Sequence, residues 1–267
     1  MTSISTMIHE ARVLFFHMGL AFRRMSQNKW LVIMEMMAML GNNFVFFSIW
    51  VLVFNIVPHL KGWELPDVAM MYGLGTSCFG LAAVMFGGCR RITDDIDQGR
   101  MDSYLCKPAS PYTLALTSES SASGWGDTIT GPVFFLVFCH MTGWQMLLAM
   151  VMVIPGAITV AAVGSMIYAI GFWVQHARAH ADTILWIAVI FVTKPLHGMP
   201  MWIKGILLTV FPIGYVSYLP VEMVRNPSVW LFIWILAGAM WSVILARFVF
   251  SRGLRQYKGV SSVQTSH

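Results

Sequence analysis

The sequence predicts an all-α polytopic membrane protein that crosses the bilayer six times. Of its 267 residues, 57% are hydrophobic and only 11% are charged, whereas soluble domains carry about 25% charged residues. The mean hydropathy is +0.69, and six apolar runs reach about the 20 residues that a helix needs to cross a bilayer. These observations predict a single membrane domain over residues 1–267 and no separate soluble domain.

Lysine and arginine set the orientation of the six spans. The predicted spans are Trp30–Val57, Asp67–Cys89, Thr117–Met141, Trp144–Trp173, Thr183–Met201 and Val229–Phe250. With both termini in the cytoplasm, thirteen of the 17 Lys and Arg residues lie on the cytoplasmic side, which is the bias that membrane proteins obey. The basic residues behind the net charge of +5 flank the apolar runs. This is the pattern of a membrane protein, so we expect no nucleic-acid partner.

Residues 1–29 form an amphipathic segment before the first span. Apolar side chains recur there at steps of three and four residues, which is the spacing of one helical face. They are Ile4, Ile8, Ala11, Phe15, Met18, Phe22 and Met25. We expect a helix lying in the cytoplasmic interface of the membrane; the alternative is a water-soluble helix packed on a partner.

Two further segments carry structural signals. Small residues recur at four-residue steps in the fourth span, from Ala157 to Ala169, and in the sixth, from Gly238 to Ala246. Such faces allow helices to pack closely in lipid. Residues 200–227 are apolar but interrupted by four prolines, which break helices. This pattern predicts two re-entrant half-helices in the outer leaflet.

Catalytic motifs are missing from the sequence. There is no G-x-x-x-x-G-K-[ST] phosphate loop, no HExxH and no GxSxG, so we expect no ATP hydrolysis and no catalytic residue on this chain. The four cysteines form no CxxC pair, and we expect no metal site. His176 and His180 have the spacing of a metal pair, but a solvated turn is the simpler interpretation.

Polar residues inside predicted spans are candidates for a substrate path, because they are costly in lipid. Glu35 lies near the start of the first span, and Asn42 and Asn43 follow on the same helical face. Alternatively, Glu35 reaches back to the interface and the asparagines bond a neighbouring helix. Lys194 precedes Pro195 in the fifth span, where a pathway role competes with snorkelling to the outer surface.

The loop 90–112 between the second and third spans is longer and more structured than a simple connection. Ile92 and Ile96 are four residues apart, and Met101, Tyr104 and Leu105 form a second apolar patch. Gly99 separates the two patches, and Pro108 and Pro111 stiffen the exit. This pattern predicts two short amphipathic helices that dock on a partner.

Three motifs in this chain resemble those of type-2 ATP-binding-cassette (ABC) exporter permeases, most closely a six-span bacterial subgroup. The loop is similar to the signature I..G.(L/M)D..L.KP.SP, although Cys106 stands where the family usually has an aliphatic residue. Pro212 to Pro220 resembles the P......(Y/F)P stretch before the last span. Gly253 to Gly259 resembles the GLR.Y...G ending that follows it.

The resemblance implies a transport function and a set of partners. The chain would be the permease subunit of an exporter of lipids, glycans or drug-like amphipathic molecules in the bacterial inner membrane. Residues 1–29 would be the elbow helix, and residues 90–112 the coupling loop that seats in an ATPase. The implied docking residues are Ile96, Gly99, Arg100, Met101, Asp102, Tyr104, Leu105, Lys107 and Pro108.

The same resemblance implies that the energy source lies on other chains. Two ATPase subunits would hold ATP and Mg²⁺, and no cofactor would bind this chain. A second permease, identical or related, would complete the transporter within the lipid membrane. Two alternatives from other classes are an ion-coupled secondary transporter and a membrane-embedded enzyme that modifies lipids.

Overall fold

The computed structural model describes residues 4–25, 27–57, 62–193 and 200–257, and the elements in these ranges are helices. The helices are α1 (Ile4–Met25), α2 (Lys29–Ile56), α3 (Leu65–Phe86), α4 (Ile92–Asp97), α5 (Met101–Leu105), α6 (Pro111–Leu116), α7 (Ser123–Val137), α8 (Gly143–Tyr168), α9 (Arg178–Val192), α10 (Met201–Thr209), α11 (Tyr218–Arg225) and α12 (Val229–Leu254). Short 3₁₀ turns lie at Gly87–Arg91, Ala169–Phe172 and Ile213–Tyr215. The prediction of an all-helical polytopic membrane protein is confirmed.

Four helical stretches are long and apolar enough to cross a membrane. They are Lys29–Ile56, Leu65–Asp97, Gly143–Phe172 and Val229–Leu254, and they match the predicted first, second, fourth and sixth spans. The third and fifth predicted spans appear as α7 and α9, which have 15 residues each. Both are shorter than the roughly 20 residues of a typical span, so six spans remains a prediction.

The helices that correspond to the third and fifth predicted spans begin at other residues than predicted. Residues 117–122 form a polar turn rather than helix, and α7 begins only at Ser123. In α9 the helix begins earlier than predicted, and Arg178 forms ion pairs in its first turn. Lys194, which the sequence placed in this span, lies outside the described residues.

The centre of the molecule is α3, which packs against α7 and α8. Glycines make the α3–α7 contact close: a Cβ built on Gly80 would lie 2.4 Å from backbone atoms of α7. The small-residue faces of α8 and α12 are buried within the chain, with Ala161 and Ala246 at 3% and 0% exposure. The predicted packing faces therefore act inside this chain, where α8 and α12 meet.

The proline-rich segment before the last helix is bent. The helical stretches Met201–Thr209 and Ile213–Arg225 meet at 80°. A bend of this kind occurs both in a broken span and in a re-entrant loop. The two predicted half-helices require such a bend. At the end of the bent segment, Arg225 of α11 forms a hydrogen-bonded ion pair with Asp67 at the start of α3.

Exposed apolar residues cover the faces of α2 and α12. Trp30, Met34 and Ile56 of α2 are 68–81% exposed, and Trp230 and Met240 of α12 are similarly open. Surfaces of this kind are stable in lipid or against another membrane chain. The amphipathic amino-terminal segment is helical as predicted, with Phe15 and Phe16 exposed.

Candidate functional site

The loop 90–112 continues the α3 helix through a 3₁₀ turn and then folds back. It contains α4 and α5, separated at Gly99, whose φ of +70° lies in the left-handed region. A side chain there would be strained, so Gly99 fixes a sharp turn between the two short helices. Pro111 begins α6 at its first position, where proline fits a helix.

Asp95 holds the two helices of the loop together. Its side chain is nearly fully buried and accepts hydrogen bonds from Arg100 Nε at 2.7 Å and from the Tyr104 hydroxyl at 2.9 Å. Burial, and secondly the charge of Asp95, raises the pKa of Tyr104 to about 12. Because a buried carboxylate needs several partners, this cluster fixes α5 on α4.

The sequence did not predict that charged side chains of the loop bind each other inside the chain. Arg100 was expected at the surface that meets a partner, but it pairs with the buried Asp95 of the same loop. Met101 was likewise expected as a docking contact, yet it is fully buried in the chain at 0% exposure. Met101 is the first residue of α5, directly after the turn at Gly99, and its side chain belongs to the hydrophobic core.

The exposed end of the loop lies at the end of α5. Leu105 is 50% exposed, and Cys106, Lys107 and Pro108 after it are exposed as well. Ile96, Asp102 and Tyr104 are half-buried, and Lys107 Nζ lies 5.6 Å from the Tyr104 ring centroid. Of the predicted docking residues, those at positions 105–108 are therefore the ones most available to a partner.

The loop is also tied to the second turn on the same side of the molecule, between α8 and α9. Thr93 Oγ1 donates to the Tyr168 carbonyl at 2.8 Å, and His176 N donates to Asp97 at 3.4 Å. His176 Nδ1 lies 3.7 Å from the Asp97 carboxylate. Among the described residues no three His, Cys, Asp or Glu side chains come together as metal ligands.

A cavity of about 520 Å³ lies between α2, α3, α7, α8 and α9. Aromatic side chains form much of its wall, including Phe46, Trp50, Phe79 and Trp186. A few polar groups face it, which is the usual composition of a site for a small molecule with an apolar body. The polar lining residues are Asn42, Asn43, Tyr72, Thr76, Arg90, Ser121, Ser123, Asp127 and Thr193.

Asn43 joins the helices around this cavity. Its amide donates to Asp127 Oδ1 at 2.7 Å and to Thr130 Oγ1 at 3.0 Å, both on α7, and it accepts from the Tyr72 hydroxyl at 3.4 Å. Asn43 is buried, so this network ties α2 to α7 and α3. These contacts agree with the alternative interpretation of Asn43, in which its side chain bonds a neighbouring helix.

The structure separates the other substrate-path candidates. Asn42 lines the cavity beside Asn43, whereas Glu35 is half-buried and is not among the lining residues. Lys194 lies outside the described ranges. Sequence reasoning overlooked Asp127 as a cavity residue, although a carboxylate inside a predicted span is a signal for a functional site.

Comparison with known proteins places these features in a family. A family model described as "ABC-2 family transporter protein" matches residues 38–261, which include the loop 90–112, the cavity helices and the bent segment. No curated protein and no solved structure matches the chain.

Proposed function

This chain belongs to the ABC-2 family of transporter proteins, and on that premise we propose that it is the permease subunit of an exporter driven by separate ATPase subunits. The family membership confirms the resemblance seen in the three motifs. It makes the chain a membrane permease of the ABC type, which works with ATPase subunits. The cargo, the direction of transport and the number of subunits belong to the proposal.

The observation that carries the proposal is the exposed tip of a rigid loop. Leu105 is half exposed on α5, while Asp95, Arg100 and Tyr104 fix α5 to the body of the chain. An apolar side chain held on a firm support is a suitable anchor for a groove in another protein. In this mechanism the ATPase binds residues 105–108 and moves the whole loop when it closes on ATP and Mg²⁺.

The cavity is the proposed route of the substrate. Its aromatic wall and few polar groups suit an amphipathic molecule such as a lipid, a glycolipid or a hydrophobic drug. Asn42, Asn43 and Asp127 would contact the polar part of the cargo, and Lys194 stays a candidate for the substrate path. A second permease chain, identical or related, would close the exposed side of α2.

The test is reconstitution with a cassette ATPase from the neighbouring genes. We expect the two proteins to copurify in mild detergent, and we expect export into inverted inner-membrane vesicles to require ATP. An ATPase variant that cannot hydrolyse ATP should abolish transport. Failure to form any complex with the ATPase would contradict the proposal.

The ion-coupled alternative is favoured by one observation, the carboxylate of Asp127 on the cavity wall. Intramembrane carboxylates carry protons or ions in secondary transporters. The same vesicles distinguish the two mechanisms, since a proton gradient without ATP would drive transport only in the ion-coupled case.

A further inference from the structure

Arg178, the first residue of α9, lies between two carboxylates on different helices. Its Nε is 3.2 Å from Asp182 Oδ2, one turn further along α9. Its Nη1 pairs with Asp94 of α4, in the loop 90–112. The guanidinium also lies over the Tyr168 ring, with Cζ 5.5 Å from the centroid. One side chain therefore joins the loop, the end of α8 and the start of α9.

Asp94 and Asp95 give α4 two separate attachments. Successive residues of a helix point about 100° apart. Asp95 is turned inward and binds Arg100 and Tyr104, which fixes the exposed tip of α5. Asp94 is turned toward α9 and binds Arg178. As a result, α4 connects the tip of the loop on one side with α9 on the other.

Close packing holds α4 against the 3₁₀ turn at the end of α8. A Cβ added to Gly171 would lie 2.9 Å from Thr93 Cγ2, so α4 lies directly on the 3₁₀ turn that ends α8. Thr93 is fully buried there and bonds the Tyr168 carbonyl. The Tyr168 hydroxyl in turn bonds Asp182. These contacts seat α4 on the end of α8, whereas the Asp94–Arg178 pair joins α4 directly to α9.

The other end of α9 forms a wall of the cavity. Leu185, Trp186, Val189 and Ile190 are among the lining residues. A displacement of the loop that reached α9 would therefore change the shape of the cavity, without any contact between the ATPase and the cavity itself.

We propose that Arg178 is a positioning residue that makes α9 move together with the loop 90–112. The inference rests on the proposed function, because it assigns the route by which ATPase movement reaches the cavity. Both side chains of the Asp94–Arg178 pair are about one third exposed, at 32% and 38%. Such pairs contribute little to the free energy of unfolding, so Asp94→Asn should leave the fold intact.

The test breaks one arm of Arg178 at a time. Asp94→Asn removes the charge that binds Arg178 from the loop and leaves the Arg178–Asp182 pair on α9. Asp182→Asn removes the ion pair within α9, keeps an oxygen that can accept from the Tyr168 hydroxyl, and leaves the loop attached. Asp94→Glu restores the charge on the loop. Asp94→Asn should therefore uncouple α9, whereas the other two variants should behave like the wild type.

The measurement is the distance between spin labels in the complex with its ATPase. One pair of labels joins a cysteine at Gln98, an exposed residue at the end of α4 and outside the proposed docking residues, to a cysteine at Thr183 of α9. A second pair joins position 183 to a cysteine at Ser251 near the end of α12. Cys106→Ser and Cys139→Ser are added throughout so that only the intended positions are labelled, and ATPase binding by this background is measured first.

In the wild type we expect ATP to shift the 183–251 distance while the 98–183 distance stays constant. In Asp94→Asn the 183–251 shift should be lost and the 98–183 distribution should broaden, with ATP hydrolysis retained. A wild-type 183–251 shift in Asp94→Asn, or an equal loss in Asp182→Asn, would overturn the proposal.

The same labels separate this inference from the proposed function. If no ATPase binds the wild-type chain, the proposed function fails. The 98–183 distribution is then measured on the chain alone in lipid nanodiscs. A broader distribution in Asp94→Asn than in Asp182→Asn supports the tie made by Arg178, and equal widths contradict it.

Discussion

Replacing Leu105 by aspartate should prevent the ATPase from binding while leaving the permease folded. Leu105 is 50% exposed at the end of α5, so a charged side chain there can reach water in the isolated chain. In the docked complex the same carboxylate would be buried against an apolar groove without a partner. Burial of an unpaired charge is costly, and the cost falls on the complex alone.

The exposed fraction sets the size of the effect. Full burial of a leucine side chain is worth about 1.5–3 kcal/mol, and about half of that remains to be gained on docking. Leu105→Ala should therefore weaken ATPase binding by about 3-fold to about 12-fold. Leu105→Asp adds a desolvation penalty of several kcal/mol, which corresponds to a loss of at least about 100-fold.

The assay is titration of the ATPase onto the permease in lipid nanodiscs, with thermal unfolding of each variant as the folding check. Leu105→Met is the matched control, because it keeps an apolar side chain of similar volume and should bind normally. Normal ATPase affinity in Leu105→Asp would refute the docking assignment. A loss in Leu105→Met as large as in Leu105→Asp would show that shape rather than burial controls binding.

Three further substitutions test the fold and the cavity. Asp127→Asn retains an oxygen that accepts from the Asn43 amide at 2.7 Å, whereas Asp127→Leu does not; we expect a loss of about 1–3 kcal/mol in unfolding free energy for the leucine variant only, and equal stability of the two would contradict the network. Gly80→Ala places a methyl group 2.4 Å from the α7 backbone and should cost about 1–3 kcal/mol, while Gly41→Ala, with no atom within 4 Å, should cost nothing; thermal unfolding in detergent measures both. Gly99→Ala should strain the left-handed turn by about 1–2 kcal/mol and raise the rate of proteolysis in the loop, with Gly99→Asn affected less; equal proteolysis of the two variants would argue against the turn.

Much of the fold could be predicted because lipid imposes a simple rule on sequence. A stretch such as Val229–Leu254 must satisfy its backbone internally and carry apolar side chains, so its position is visible from composition alone. The short helices α7 and α9 were harder to delimit. The starts of these helices depend on contacts that the turn 117–122 and Arg178 make with distant segments of the chain. Hydropathy does not record such contacts.

The two short helices of the loop 90–112 were predicted, but the direction of their side chains was not. The loop 90–112 was identified by its two apolar patches, its glycine and its prolines. The inward turn of Asp95 and Met101 depends on how α4 and α5 fold back across Gly99, and a sequence pattern does not fix that angle. Asp127 was overlooked as a cavity residue because its neighbours Asn43 and Tyr72 are more than fifty residues away in the chain.

Photo-crosslinking from the exposed tip of the loop tests the central claim most directly. A benzoyl-phenylalanine is placed at Cys106 in the full chain and irradiated in native membranes, with the same residue at exposed Trp202 of α10 as the control. The account predicts that position 106 crosslinks to a cassette ATPase and that position 202 does not. Crosslinks from position 106 to lipid or to this chain alone, with no ATPase adduct, would contradict it.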